Sequence, residues 1–128
     1  MTTLNKVLYA EDEADIREIA ILALESIGQL EVASCESGVQ VIDLAMNFQP
    51  QLILLDVMMP VMDGPSTLEA IKKHDTLNNI PVVFLTAKIL PDEIERFKSL
   101  GAIDVITKPF DPMTLADQIK DIWTDFNE

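Results

Sequence analysis

The sequence has 128 residues, of which 48% are hydrophobic, and its formal net charge is −13 at pH 7. This length and composition are typical of one globular domain that folds around its own core. The charge argues against nucleic acids and anionic membrane surfaces as binding partners, because both are themselves negatively charged.

Five short apolar runs alternate with amphipathic stretches along the chain. The runs are continuous rather than alternating in polarity, which favours strands that are buried on both faces of a parallel sheet. They occupy residues 7–10, 32–35, 52–55, 82–85 and 103–106. The stretches between and after them repeat apolar residues at helical spacing, which predicts five helices.

Each amphipathic stretch carries a residue that favours the start or the end of a helix. Proline suits a first turn because its missing N–H has no helical partner there, and glycine is common just past a last turn. These residues are Gly28 and Pro50 after the first and second stretches, Pro65 and Pro91 at the start of the third and fourth, and Asp111 and Pro112, as N-cap and first helical residue, at the start of the fifth.

The alternation of strands and helices predicts an α/β fold with a parallel sheet and right-handed crossovers. In such a sheet, ligands bind beyond the carboxyl ends of the strands. Polar side chains follow four of the predicted strands: Glu11 and Asp12 the first, Asp56 the third, Thr86 the fourth and Lys108 the fifth. We therefore expect these side chains to lie close together, although they are far apart in sequence.

Three carboxylates at one sheet edge would repel one another, and a divalent cation and the Lys108 ammonium would relieve that repulsion. Carboxylate oxygens favour a hard ion such as Mg²⁺. A metal, a cation and a hydroxyl group around a nucleophile are the parts of a phosphoryl-transfer site. Asp56 is the best candidate for the nucleophile, which would become an aspartyl phosphate, because it ends a fully apolar strand that holds it rigidly.

Taken in order and at their spacing, the motifs at these strand ends resemble those of the receiver domain of bacterial two-component response regulators. The resemblance covers essentially the whole chain, and it implies a flavodoxin-like (βα)5 fold with strand order 2-1-3-4-5. The motifs are AEDE at 10–13, LLDVMMP at 54–60 with MDG at 62–64, LTAK at 85–88, and GA at 101–102 followed by TKPF at 107–110.

The resemblance implies that Asp56 is the phosphoacceptor. It also implies that Glu11, Asp12 and Asp56 hold Mg²⁺, for which Mn²⁺ can substitute, together with the backbone carbonyl of Met58. Glu11 stands where many members of the family have Asp. We expect the metal to depend more on Asp12 than on Glu11, since the aspartate has the shorter arm.

The phosphoryl-binding part of the site is implied in the same way. Thr86, followed by Ala87, matches the hydroxyl that moves to bond the phosphoryl group. Lys108 matches the lysine that pairs with that group, and the peptide bond before Pro109 is expected to be cis.

Val105 departs from the family, because most receivers carry at that position a Tyr or Phe that swings inward on activation. Valine is short and has a restricted side-chain rotation, so it cannot make this movement. We therefore expect the signal to leave through loop 87–91 and the start of the fourth helix, or through a partner that binds the phosphorylated edge directly.

The resemblance implies a signalling domain rather than an enzyme, with no chemistry beyond its own phosphorylation and dephosphorylation. The donor would be a phosphohistidine on a sensor histidine kinase or a histidine phosphotransfer protein, and a protein partner would read the conformational change. We take residues 1–128 as one receiver domain. The opening Met1 favours a stand-alone regulator over a receiver excised from a larger regulator or hybrid kinase.

A bacterial cytoplasm is the expected compartment. The sequence has no signal-peptide pattern and no apolar run that approaches the roughly 18 residues of a membrane span. Its single cysteine, Cys35, cannot form an internal disulfide, which suits a reducing environment.

Two alternative functions come from other classes of protein. An aspartyl-phosphate hydrolase of the haloacid dehalogenase type carries a second Asp two residues after its nucleophile, where this chain has Met58. A flavodoxin-like FMN carrier needs a Ser-, Thr- or Gly-rich phosphate loop after the first strand. The run from Glu11 to Glu13 would instead repel the FMN phosphate.

Overall fold

The computed structural model describes residues 3–87 and 90–127. Within these residues five strands alternate with five α-helices, as the sequence predicts. The elements are β1 (Lys6–Ala10), α1 (Ala14–Leu22), β2 (Glu31–Cys35), α2 (Val41–Phe48), β3 (Leu52–Asp56), α3 (Gly64–Lys72), β4 (Val82–Thr86), α4 (Pro91–Leu100), β5 (Asp104–Thr107) and α5 (Leu115–Asn127).

All five strands form one parallel sheet in the order β2-β1-β3-β4-β5. The predicted flavodoxin-like fold and its strand order are therefore confirmed. β3 lies at the centre, paired with β1 on one side and β4 on the other. Every residue of β3 and β4 is buried, which explains why the sequences of both strands are continuous apolar runs.

The core has two layers, one on each face of the sheet, because successive strand side chains point to opposite faces. Leu54 packs on one face in a cluster with residues of α1 and α5, such as Ala20 and Ile119. Its neighbour Leu55 packs on the other face with residues of α2, α3 and α4. None of the helices in the described part of the chain combines the length and the apolar character needed to cross a bilayer.

The last turn of the first helix differs from the prediction. The α-helix gives way after Leu22 to a π-helical turn, Ala23–Ile27, although the segment does end at Gly28 as expected. The Gly28 N–H donates to the carbonyl of Ala23 at 3.1 Å. A Cβ atom at Gly28 would lie 2.5 Å from the Cβ of Ala116, so the glycine also allows α5 to pack closely at this point.

The start of the fifth helix also differs. α5 begins at Leu115 rather than at Pro112, and residues 112–114 form a turn that leads into it. Asp111 still acts as a cap, because its side chain accepts a hydrogen bond from the Met113 N–H at 2.9 Å. Its carbonyl accepts one from the Leu115 N–H at 3.0 Å.

Candidate functional site

Strand pairing brings the predicted site residues to one edge of the sheet. Asp56 and Thr86 are the last residues of β3 and β4, and Glu11 and Lys108 directly follow β1 and β5. The ladder continues past the strand ends, since the Lys108 N–H donates to the Thr86 carbonyl at 2.9 Å and the Glu11 N–H to the Cys35 carbonyl at 3.0 Å. The backbones that carry these side chains are therefore held by the sheet itself.

Glu11, Asp12 and Asp56 form an acidic cluster at this edge. One carboxylate oxygen from each lies within 4.8 Å of the others. Glu11 and Asp56 are buried, and Asp12 is half-buried. Three converging carboxylate oxygens fit a hard cation such as Mg²⁺, which prefers oxygen ligands and keeps several of its waters.

Lys108 neutralises part of this negative charge. Its Nζ lies 2.7 Å from Glu11 Oε1 and 3.0 Å from Asp56 Oδ1, and its side chain is only 13% exposed. Burial alone would lower the pKa of Lys108, but the hydrogen bonds to the two carboxylates outweigh it and raise that pKa above its usual value. The lysine is therefore a fixed positive charge between the two buried acids.

The two buried carboxyl groups have opposite pKa shifts. Burial, together with a hydrogen bond to Glu11, raises the pKa of Asp56 to about 7, against the influence of Lys108. Burial would also raise the pKa of Glu11, but hydrogen bonds with Asp56 and Lys108 hold it below its usual value. Of these two acids, Asp56 is therefore the one that holds a proton more readily. A cation that binds there competes with that proton.

Ala87, Met58 and Pro109 surround the mouth of the site. Together with Asp56, Thr86 and Lys108 they help to line a pocket of about 390 Å³. Met58 is 76% exposed. The Lys108–Pro109 peptide bond is cis. The role of the Met58 carbonyl as a metal ligand stays a prediction.

Thr86 also lines a second pocket, of about 320 Å³, toward α3 and α4. Phe97 of α4 lines this pocket and packs edge-on against Phe84, with 5.0 Å between the ring centroids. Val105 is half-buried and packs against the apolar cluster that contains both rings. The pocket that Thr86 lines therefore includes an aromatic side chain from α4, whereas position 105 carries a valine.

Sequence reasoning missed two residues that hold Glu11. The Arg17 guanidinium donates to the Glu11 backbone carbonyl at 2.7 Å. Tyr9, which the sequence presents as part of an apolar strand, is fully buried, and its hydroxyl donates to Glu11 Oε1 at 3.1 Å. Burial and the Glu11 carboxylate raise the pKa of Tyr9 far above its usual value, so the hydroxyl keeps its proton. The one sequence signal was its spacing, since residues 9 and 11 fall on the same side of an extended chain.

Comparison with known proteins gives a family match over most of the chain. Residues 7–120 match the response regulator receiver domain. The chain is 37% identical over 114 residues to the phosphate regulon transcriptional regulatory protein PhoB of Pseudomonas aeruginosa, which covers 89% of this chain and 49% of that protein. It is 38% identical over 117 residues to PhoB of Escherichia coli, which covers 90% of this chain and 50% of that protein. The chain thus spans about half the length of these curated relatives.

Solved structures give the same result. The chemotaxis response regulator CheY4 of Vibrio cholerae superimposes with a TM-score of 0.86 at 28% identity, covering 94% of this chain and 99% of that one. The receiver domain of a signal transduction histidine kinase from Syntrophus aciditrophicus gives a TM-score of 0.81 at 30% identity, covering 94% of this chain and 91% of that one. From the family match and these likenesses it follows that the chain belongs to the response regulator receiver domain family.

Proposed function

We propose that this receiver domain accepts a phosphoryl group on Asp56, in the cytoplasm, and relays the event to a protein partner as a conformational change. The observation that carries the proposal is the surroundings of Asp56. It is a buried carboxylate 3.0 Å from the Lys108 ammonium, within a cluster of three acids, beside a pocket open to an incoming group. These are the features a carboxylate nucleophile needs for phosphoryl transfer.

The donor in this proposal is a phosphohistidine of a sensor histidine kinase or a phosphotransfer protein. An Asp56 carboxylate oxygen forms a bond to phosphorus while the phosphorus–nitrogen bond breaks. The histidine leaves with the electron pair and is protonated. The Lys108 ammonium, which contacts Asp56 and Glu11, is close enough to donate a hydrogen bond to the transferred group.

The proposed metal is Mg²⁺, held by Glu11, Asp12 and Asp56 with the predicted carbonyl of Met58. When bound, it would supply positive charge to the carboxylates and to the phosphoryl oxygens. We expect Asp12→Ala to weaken Mg²⁺ binding more than Glu11→Ala does, measured by titration calorimetry. The reverse order would contradict the proposed ligand set.

We further propose that the signal leaves toward α4. A phosphoryl group on Asp56 would attract the Thr86 hydroxyl, and the pocket that Thr86 shares with Phe97 connects that movement to α4. Lys88 and Ile89, within the predicted exit loop 87–91, lie outside the described residues. Fluoroberyllate, which mimics the aspartyl phosphate, allows the bound and free states to be compared by NMR. Shift changes centred on Val105, with Ala87 and residues 90–92 unmoved, would contradict this route.

Acetyl phosphate tests the phosphoacceptor directly. With Mg²⁺, we expect intact mass to show one added phosphoryl group on the wild type and on Asp43→Asn, a control at an exposed aspartate of α2. Asp56→Asn should take up none, and a chelator should prevent the labelling of the other two proteins. Equal labelling of the wild type and Asp56→Asn would refute the assignment.

A second assay separates a signalling domain from a hydrolase. A receiver that reacts only with its own phosphoryl group releases no product from an excess of p-nitrophenyl phosphate. An aspartyl-phosphate hydrolase would turn over many equivalents. We expect no turnover above that of the Asp56→Asn variant, and sustained turnover by the wild type would favour the hydrolase.

A further inference from the structure

The Glu11 carboxylate is held by the side chains of Tyr9 in β1 and of Lys108, which directly follows β5. Its Oε1 accepts hydrogen bonds from Lys108 Nζ at 2.7 Å and from the Tyr9 hydroxyl at 3.1 Å. Its Oε2 has a longer contact, 3.4 Å, with the Glu13 N–H. The carboxylate also shares a hydrogen bond with Asp56. Because Glu11 is fully buried, the direction of its carboxylate depends on these groups and not on solvent.

Tyr9 is built as a rigid donor. It lies in β1, two residues before Glu11, so both side chains leave the chain on the same side. Its ring is fully buried in the cluster that includes Leu54 of the adjacent strand β3 and Leu85 of β4. A ring packed in this way has little rotational freedom. Its hydroxyl group therefore stays at one position, in contact with the Glu11 carboxylate.

Glu11 needs such a donor more than an aspartate would. A glutamate has one more rotatable bond, and ordering it loses more conformational entropy. Its length also lets its carboxylate reach Lys108 and Tyr9 at once. We infer that Tyr9 is a positioning residue, whose hydroxyl orients the Glu11 carboxylate for Mg²⁺ and so accounts for a glutamate at this position. The inference rests on the metal site of the proposed function.

Removal of the hydroxyl alone tests this role. Groups that hydrogen-bond to metal-ligating carboxylates typically contribute about 10–100-fold to metal affinity. Tyr9→Phe keeps the buried ring, and we expect it to weaken Mg²⁺ binding about tenfold by titration calorimetry. Thr67→Val is the matched control, because it also removes a buried hydroxyl, one that donates to the Asp63 carbonyl at 2.7 Å. The control should bind Mg²⁺ like the wild type.

A double-mutant cycle separates positioning from a general loss of stability. In a Glu11→Asp background the shorter arm brings the carboxylate out of reach of the Tyr9 hydroxyl. Tyr9→Phe should then leave Mg²⁺ affinity unchanged, although it lowers stability as before. An independent signal comes from the wild type, since Tyr9 is the only tyrosine in the sequence. Mg²⁺ should perturb the tyrosine band of its ultraviolet difference spectrum.

The outcomes are distinct. Loss of affinity in Tyr9→Phe, its absence in the Glu11→Asp background and a tyrosine difference signal would together establish the role. Wild-type affinity in Tyr9→Phe would overturn it, as would an equal loss in both backgrounds. If the wild type itself binds no Mg²⁺, the metal site of the proposed function fails first, and the role of Tyr9 fails with it.

Discussion

Asp56→Asn is expected to stabilise the metal-free protein at alkaline pH, although it removes the proposed phosphoacceptor. Asp56 is 3% exposed, and burial together with Glu11 raises its pKa from 3.8 to about 7. The folded protein therefore keeps a proton that the unfolded chain releases above about pH 4. The contribution of Asp56 to the free energy of unfolding falls as the pH rises from about 4 to about 7, because at this residue the unfolded chain binds fewer protons in that range.

The size of the effect follows from the pKa difference. About three pKa units correspond to about 4 kcal/mol of stability that the wild type loses by pH 8. An asparagine amide has no such proton to lose, and it can accept from Lys108 while donating to Glu11. It also removes one of the two anionic partners of Lys108, which offsets part of the gain. We expect the variant to be more stable by about 2 kcal/mol at pH 8 and by much less at pH 4.5.

Urea unfolding with a chelator present, followed by circular dichroism at both pH values, measures this difference. Asp43→Asn serves as the control, because it removes the same charge from an exposed site on α2. It should match the wild type within about 0.5 kcal/mol, as is usual for surface substitutions. If Asp56→Asn is no more stable than the control at pH 8, Asp56 is not held in the destabilised, buried state described above.

Three further substitutions probe how the site is held. Lys108→Met leaves the buried acids without a cation and should lower stability at pH 8 by about 3 kcal/mol in urea unfolding, with partial recovery in excess Mg²⁺. Gly64→Ala places a Cβ 2.7 Å from the Asp56 carbonyl, so unfolding should show a loss of about 1–3 kcal/mol. Asp63 caps α3 by accepting from the Ser66 N–H at 2.8 Å, and Asp63→Ala should lower the thermal midpoint through a loss of about 1 kcal/mol.

The acidic edge could be predicted from the sequence because strand topology determines it. Once the runs ending before Asp56 and Thr86 are taken as parallel strands, their carboxyl ends must meet. The side chains that follow them must then be neighbours. The pattern of apolar residues was sufficient to predict that these side chains are neighbours. An error of one or two residues in the end of a strand does not move the side chain that follows it to another edge of the sheet.

Tyr9 and the last turn of the first helix could not be predicted in the same way. An apolar strand position is compatible with a purely hydrophobic role, and only the three-dimensional position of Glu11 shows that the phenol has a partner. The change to a π-helical turn at Ala23–Ile27 shifts hydrogen bonds by one residue and leaves the sequence pattern of the helix almost unchanged. Close packing at Gly28 involves Ala116 of α5, which is distant in the sequence.

The position of Lys108 in the chain has a consequence for biosynthesis. Glu11 and Asp56 come from β1 and β3, in the first half of the chain, whereas the lysine between them arrives only with β5, at the sheet edge. A nascent chain that has emerged from the ribosome through β4 can pair its central strands. It must then bury two carboxyl groups with no lysine beside them, which is unfavourable. We therefore expect the N-terminal strands to remain loosely assembled on the ribosome until β5 is released, so that the domain completes its folding only after its last strand has emerged.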